Sequence, residues 1–430
     1  MEVLDRFFHI TQRGSTVGRE VRGGVTTFVT MAYILFVNPS ILSGGGVPVD
    51  LATTATATAA GICCILMGLI ANFPLALASG MGLNAVVAFQ IIPAAGTWQA
   101  AMGLVVLDGL LTLALVMAGL REAVMNAIPR DLRLAIGAGI GLFIAFIGLV
   151  NAKLVVMGHA PVPVEPGNLN DWPTRLAAIG LLVTAVLVAS RVTGALIIGI
   201  ALTTLLAYVL KVERLPQPIP APHVRLGVVA DVKGALQLKL VPLLFALVMV
   251  DFFDTLGTAS AIAQEAKLTD ERGRIPGIRR ILAIDSISAA IGGALGASSV
   301  TSYIESAAGL AEGARTGLHT VVVGLLFLIA IFASPLAPLV PLYATAPALI
   351  IVGVLMISQI GKIEFENLEN AIPAFLTLLA IPMTYSIAHG IGFGFISYCV
   401  IKLAKGKWRD VHVLMYITAT AFVAWFIWGK

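Results

Sequence analysis

Three carboxylic acids stand out in this 430-residue sequence because they interrupt segments that are otherwise apolar. Asp251 and Asp254 lie three positions apart in V-M-V-D-F-F-D-T-L-G-T, and Glu305 lies in T-S-Y-I-E-S-A-A-G. Residues three apart share one face of a helix. Carboxylate oxygens are strong acceptors, so these acids suit a planar solute that carries N–H donors. Burial in an apolar cleft favours the protonated carboxyl form, which would allow solute binding to be coupled to a proton.

Five further side chains complete a candidate binding site. Asn84, in M-G-L-N-A, has an amide that both donates and accepts, as a heterocycle with mixed edges requires. Thr258 and Thr301 place hydroxyls within helical or strand reach of the acids, and Met81 and Tyr303 can lie against the faces of a ring. Each has a structural alternative: hydrogen bonding between helices for the amide and the aspartates, and packing for the large side chains.

The composition is that of an integral membrane protein. The chain is 58% hydrophobic and 12% charged, with a mean hydropathy of +0.97, whereas soluble domains have about 25% charged residues. A net charge of +4 is too small to indicate a nucleic-acid partner. The three cysteines lie inside apolar runs and the six histidines are scattered. We therefore expect no metal site and no cofactor.

The apolar runs form two groups of seven, separated by a proline-rich polar segment at 211–239. In each group the third run is short and interrupted, at 76–85 and at 298–307. Paired interruptions at corresponding positions indicate an inverted-repeat transporter with its site at the repeat interface. Seven spans per half also force the two halves into opposite orientations. The sequence therefore predicts fourteen transmembrane spans.

The distribution of Lys and Arg predicts the orientation of the chain. With the N-terminal tail, 1–23, in the cytoplasm, 19 of these residues face inward and 8 face outward. Cytoplasmic enrichment of positive charge is the general rule for membrane proteins. We predict a multi-pass protein of the cytoplasmic (inner) membrane with 211–239 outside. The additional apolar helix at 410–428 has no counterpart in the first half, and the sequence does not decide whether it crosses.

Several motifs together resemble a known transporter family. They are V-D-F-F-D-T-L-G-T, A-L-A-S-G-M-G-L-N-A, T-S-Y-I-E-S-A-A-G and the opening R-G-S-T-V-G-R-E-V-R-G-G-V-T-T-F. The chain resembles the nucleobase–cation symporter-2 superfamily, in its AzgA-like hypoxanthine/guanine/adenine branch, over about 7–407. One departure is Ser79, which stands where the family pattern has proline. The resemblance implies a transporter and not an enzyme.

The resemblance also implies an architecture. It is an all-α polytopic fold with a 7+7 inverted repeat, in which spans 3 and 10 each contain a short β-strand. A uracil-permease-like core would comprise spans 1–4, at 24–120, and spans 8–11, at 240–333. The gate would comprise spans 5–7, at 121–210, and spans 12–14, at 334–403. A homodimer in the lipid bilayer is a family-level expectation.

The function implied by the resemblance is proton-coupled import of a purine nucleobase, hypoxanthine/guanine or adenine. The purine would be held by the span-8 and span-10 acids and the span-3 amide, which correspond to Asp251 or Asp254, Glu305 and Asn84. Which aspartate binds substrate and which couples protons stays open, as does the preferred purine. The alternatives are a transporter of another nucleobase or of a small anion, a passive channel, and an intramembrane aspartyl hydrolase. An acidic site disfavours an anionic substrate. The hydrolase alternative is disfavoured because intramembrane aspartyl dyads use two separate helices, whereas Asp251 and Asp254 are neighbours on one helix face.

Overall fold

A computed structural model describes residues 2–119, 128–159, 163–214, 227–269 and 275–428, except for the side chains of 252–254, 256, 257 and 428. The helices of the first half are α1 (Glu2–Phe8), α2 (Val17–Met31), α3 (Ile34–Gly44), α4 (Val49–Leu66), α5 (Met81–Val86), α6 (Ile92–Ala95), α7 (Trp98–Met117), α8 (Arg130–Asn151), α9 (Trp172–Ala189) and α10 (Ala195–Val209). Those of the second half are α11 (Val232–Ala235), α12 (Val241–Glu265), α13 (Ile278–Leu295), α14 (Ser306–Ala311), α15 (Gly317–Ala330), α16 (Leu342–Ile357), α17 (Leu368–Met383), α18 (Ile387–Ala404) and α19 (Val413–Trp428). The strands are β1 (Leu77–Ser79), β2 (Val155–Met157), β3 (Val164–Pro166) and β4 (Val300–Ser302).

The helices are those of a multi-pass membrane protein. In the part of the chain that the structure describes, eight helical segments are long and apolar enough to cross a bilayer. Four further apolar helices are shorter: Met81–Ala95, Ala195–Val209, Leu368–Met383 and Val413–Ile427. The count of fourteen spans and the inverted repeat stay predictions. The polar loop after α8 also holds a feature that the sequence analysis did not predict, because β2 and β3 pair there as a small antiparallel sheet.

Strands β1 and β4 come from the two interrupted segments and pair with each other. The pairing is antiparallel, with Ala78 opposite Thr301 at its centre. It is extended by hydrogen bonds from the backbone N–H of Tyr303 to Ala76 O, at 3.0 Å, and from that of Gly80 to Ser299 O, at 2.9 Å. Backbone polar groups at membrane depth need such partners because no bulk water reaches them. The two predicted strands are thus present, and each supplies the other's hydrogen bonds.

The helices pack into two groups. In the first, α7 packs against α12 and α13, α15 packs against α2 and α4, and α13 also contacts α4. In the second, α16 and α17 pack against α8, α9 and α10 pack against each other and against α16, and α17 pairs with α18. A Cβ atom at Gly109 of α7 would collide with the backbone N of Ala290 on α13, so the absence of a side chain permits this close helix contact. The C-terminal helix α19 packs against α18 and also contacts α12.

A buried carboxylate ties the first half of the chain to the second. Glu20 of α2 accepts hydrogen bonds from the backbone N–H groups of Arg315 (2.8 Å), Thr316 (3.2 Å) and His319 (3.2 Å). These groups lie at the start of α15, where the helix dipole favours negative charge. The Thr27 hydroxyl lies 2.8 Å from His319 Nε2. These contacts fix α2 against α15, next to the interrupted segment that contains β4.

Candidate functional site

Helix α12 lies against both interrupted segments. It contacts β4, α5 and α14. Asp251 lies in the middle of this helix and is fully buried. The backbone of Asp254 belongs to the same helix, but its side chain lies outside the described residues. We call the two strands, the first turns of α5 and α14, and the segment 251–258 of α12 the strand-pair site.

A hydrogen-bonded chain of side chains joins α12 to β4 and α13. The Thr255 hydroxyl, one turn after Asp251, donates to Asp285 Oδ2 at 2.6 Å and lies 3.1 Å from Thr301 Oγ1. Either hydroxyl can be the donor between the two threonines. Thr301 was predicted as a site residue and is present there. Thr255 was not predicted, because nothing in its sequence context separates it from other helical threonines.

Replacing Thr255 with valine is expected to lower the stability of the protein by about 1–3 kcal/mol, since Asp285 loses a buried hydrogen bond. Thermal unfolding of the purified variant in detergent measures this loss. The matched control is Thr184→Val, whose buried hydroxyl donates only to Gly180 O of its own helix. Equal unfolding temperatures for the two variants would contradict a structural role for the Thr255 contact.

Glu305 immediately precedes α14 and is partly exposed. Its Oε1 accepts a hydrogen bond of 2.7 Å from the Tyr33 hydroxyl. Tyr33 is fully buried in the turn that separates α2 from α3. The carboxylate is thus held in one orientation while retaining further acceptor capacity. The sequence around Tyr33 does not indicate this role, because T-M-A-Y-I-L contains neither the glycine nor the proline that would indicate a break in the helix.

Asn84 is the clearest ligand-binding candidate in the strand-pair site. It is fully buried in the first turn of α5. Neither its Oδ1 nor its Nδ2 has a hydrogen-bond partner among the described residues. The same is true of the hydroxyls of Ser298, Ser299 and Ser302 around β4. A buried polar group without a partner costs about 1–3 kcal/mol. Buried polar groups without a partner among the described residues are candidates for hydrogen bonds to a polar ligand.

Tyr303 has a structural role that the sequence did not indicate. Its hydroxyl donates to Ser79 O at 2.5 Å, so the side chain connects the end of β1 to the residue after β4. The hydroxyl proton is therefore already used, so towards a solute the hydroxyl could act only as an acceptor, and the ring could provide an apolar contact. Ser79 in turn donates from its hydroxyl to Ala297 O at 2.7 Å. A proline at this position has no such donor, so serine adds a contact between the interrupted segments.

The two remaining predicted residues lie at the edge of the site. Met81 is the first residue of α5, and Thr258 lies three positions after Thr255 on α12; both are half-buried. Gly80, just before Met81, allows the close approach of the segments, because a Cβ atom there would lie 2.6 Å from Thr301 Cγ2. A larger residue would separate α5 from β4.

The residues of the strand-pair site have the hydrogen-bonding groups that a neutral polar molecule would need. It combines acids, an amide and hydroxyls, which together provide both acceptors and donors. Among the described residues, no group of three or more His, Cys, Asp and Glu side chains could hold a metal ion. Two acids in one buried site disfavour an anionic ligand and favour one with several N–H groups.

Comparison with known proteins identifies similar sequences over nearly the whole chain. A family model described as a permease family matches residues 18–393. The guanine/hypoxanthine permease PbuG of Bacillus subtilis is 42% identical, in an alignment that covers 99% of this chain and 100% of that protein. The adenine permease AdeP of Escherichia coli is 41% identical, with 98% and 95% covered.

Solved structures with the same fold are more distant in sequence. The transmembrane domain of the cyanobacterial bicarbonate transporter BicA superposes with a TM-score of 0.63 at 19% identity, covering 88% of this chain and 97% of that one. The murine anion transporter Slc26a9 in its inward-facing state gives a TM-score of 0.65 at 13% identity, with 90% and 68% covered. At these identities the similarity concerns the fold alone.

Proposed function

Because the chain belongs to the permease family of nucleobase–cation symporters, we propose that it imports a purine nucleobase across the cytoplasmic membrane together with protons. The observation that carries the proposal is the buried amide of Asn84, which has no partner among the described residues, in a site that also contains acids. Relatives that align along almost the full chain are named for guanine, hypoxanthine or adenine. Purines are planar, carry N–H donors, and have edges of mixed donors and acceptors.

The acids and the amide of the strand-pair site have separate roles in this proposal. Glu305 and Asp251 accept hydrogen bonds from purine N–H groups, and the Asn84 amide pairs with an edge that both donates and accepts. We assign the substrate to Asp251 because it lies four positions before Thr255, on the helix face that contacts β4. Asp254 is then assigned to the coupling of proton movement to purine transport. Tyr33 keeps the Glu305 carboxylate oriented.

The transport step in this proposal is movement of a core against a gate. The core comprises 24–120 and 240–333, and the gate comprises 121–210 and 334–403, with the N-terminus in the cytoplasm. The two packing groups support this division, because most of the extensive helix contacts lie within one group or the other. The strand-pair site lies in the core, so a bound purine would move with it.

The polar contacts described between core and gate are hydrogen bonds between neutral side chains, which can be exchanged for others during a movement. The hydroxyls of Ser40 on α3 and Thr345 on α16 lie 3.1 Å apart. The Ser386 hydroxyl, just before α18, donates to Gln90 Oε1 at 3.2 Å. Exchange of such hydrogen bonds costs little compared with separation of a packed apolar interface.

A disulfide between Ser40→Cys and Thr345→Cys is expected to stop transport if the core must move against the gate. Both side chains are short and their oxygens are 3.1 Å apart, which suits disulfide geometry. Uptake should fall to background after oxidation and recover after reduction. The single-cysteine variants are the controls, and the native Cys63, Cys64 and Cys399 are buried in all of them. Undiminished uptake by the cross-linked protein would contradict this movement.

Uptake measurements test the proposed function directly. Cells that lack their own nucleobase permeases would express this chain and be given radiolabelled hypoxanthine, guanine, adenine or uracil, with and without a protonophore. We expect accumulation of at least one purine, and we expect the protonophore to abolish it. Uptake that survives the protonophore would refute proton coupling but keep the substrate class. Uptake of uracil alone, or of no base, would refute purine transport.

A further inference from the structure

An apolar cavity lies outside the strand-pair site, among α7, α12, α18 and α19. Its volume is ≈ 270 Å³. Its described lining residues include Leu111 of α7, Val241 and Val248 of α12, Phe395 of α18, and Met415 and Thr418 of α19. The cavity therefore lies where two helices of the proposed core meet the last helix of the gate and the C-terminal helix.

The described residues that line this cavity offer no hydrogen bond to an occupant. Thr418 is the one polar residue among the described lining residues. Its hydroxyl donates to Leu414 O at 2.9 Å and lies 3.1 Å from Met415 O, both in its own helix. Apolar cavities of this kind stay free of water and bind hydrocarbons. A purine would lose the hydrogen bonds of its N–H groups on entering, so the nucleobase is excluded as the occupant.

The shape of the cavity suits an extended chain that enters from the membrane. Its inner wall is buried, with Val248 at 2% and Phe395 and Met415 at 1% exposure. Other lining residues lie at the protein surface, with Leu111 at 43% and Val241 at 51% exposure. The lining runs along α12 from Val241 to Met249, a length of about 12 Å at the helical rise. In a membrane protein, an apolar surface opening of this kind adjoins lipid hydrocarbon.

We propose that an acyl chain of a bilayer phospholipid occupies this cavity. The described lining is apolar, so it favours a hydrocarbon occupant. The surrounding bilayer supplies acyl chains at high local concentration. A chain seated there packs against α12 only one turn before Asp251, on the helix that carries the proposed substrate acid. It would also contact α18 and α19, so it would fill space between core and gate. The occupancy itself does not depend on which solute is transported.

Photolabelling tests the occupancy without any transported solute. The full chain in nanodiscs would contain phosphatidylcholine with a diazirine near the acyl terminus, and labelled peptides would be mapped after irradiation. We expect labelling of 241–249 and 414–418 several-fold above that of the ordinary lipid-facing surface of α9, which is represented by Leu182 at 68% exposure. Equal labelling of these regions would overturn the proposal.

Variants at the opening provide the second arm of the test. Val241→Trp and Leu111→Trp should each reduce cavity labelling several-fold, because the indole would obstruct the opening. Both positions are already exposed, so folding should be preserved. The matched control, Leu182→Trp, should leave cavity labelling unchanged. Labelling that neither opening variant reduces, or that excess hypoxanthine displaces, would overturn an acyl-chain site. Because labelling requires no transport, the result is independent of the purine-uptake test.

Discussion

Replacing Glu305 with glutamine is expected to reduce purine uptake by about 100-fold or more, equivalent to roughly 3 kcal/mol of lost stabilisation. Glutamine has nearly the same size, and its amide oxygen can still accept the hydrogen bond from Tyr33. The side chain can no longer bind or release a proton, however, and one of its two acceptor oxygens becomes a donor. The first change removes the capacity for proton coupling, and the second acts against a solute that presents N–H groups. Initial uptake rates, normalised to the amount of protein in the membrane, measure the effect.

Tyr33→Phe is the comparison that separates the charge of Glu305 from its orientation. This variant keeps the carboxylate but removes the hydroxyl that holds it. We expect a smaller loss, of about 5–10-fold, since a hydrogen bond of this kind contributes about 1–1.5 kcal/mol. Wild-type, protonophore-sensitive uptake by the Glu305→Gln variant would exclude Glu305 from both substrate binding and proton coupling.

Asn84→Leu is expected to reduce purine uptake by about 10–100-fold while leaving the stability of the protein unchanged or raised. The amide has no hydrogen-bond partner among the described residues, so its removal breaks no bond within the described protein. Leucine is similar in size and avoids the cost of burying a polar group. Loss of one or two hydrogen bonds to the substrate corresponds to the predicted decrease in uptake. Uptake and thermal unfolding of the same preparation test both parts.

Asn38→Leu is the matched control, because Asn38 is also a fully buried asparagine but has partners. Its Nδ2 donates to Thr56 Oγ1 at 2.8 Å and to Ala297 O at 3.0 Å. This variant should unfold at a lower temperature, since it leaves a buried carbonyl with one hydrogen bond fewer. If Asn84→Leu instead lowers stability as much as Asn38→Leu does, the amide of Asn84 is structural and the proposed role is wrong.

Much of the general character of this protein follows from local sequence. Lipid-compatible apolar runs predict a multi-pass membrane protein, and the structure and the family comparison confirm that class. The interruptions at 76–85 and 298–307 are visible in the sequence, and the two short strands that the family resemblance implied there are present and paired. The combination of motifs predicted a nucleobase–cation symporter, and the family assignment is confirmed. The roles of Asp251, Asp254 and Glu305 in substrate binding and proton coupling stay predictions.

Local sequence could not decide which polar side chains form hydrogen bonds with one another. The site contacts join residues that are distant in the chain: Tyr33 and Glu305 are 272 positions apart, and Thr255 and Asp285 are 30 apart. Tyr303 illustrates the limit, since an aromatic residue in an apolar segment does not reveal that its hydroxyl binds Ser79 O.

The physical reason lies in the range of the interactions. Hydropathy and backbone propensity act within one segment, so the sequence by itself determined the membrane class, the interruptions and the residue types of the site. A hydrogen bond depends on distance and angle within tenths of an ångström and tens of degrees. Only the packing of α12, β1 and β4 brings such groups together. The tertiary structure therefore decided that Asn38 is a bonded structural amide and that Asn84 has no partner among the described residues.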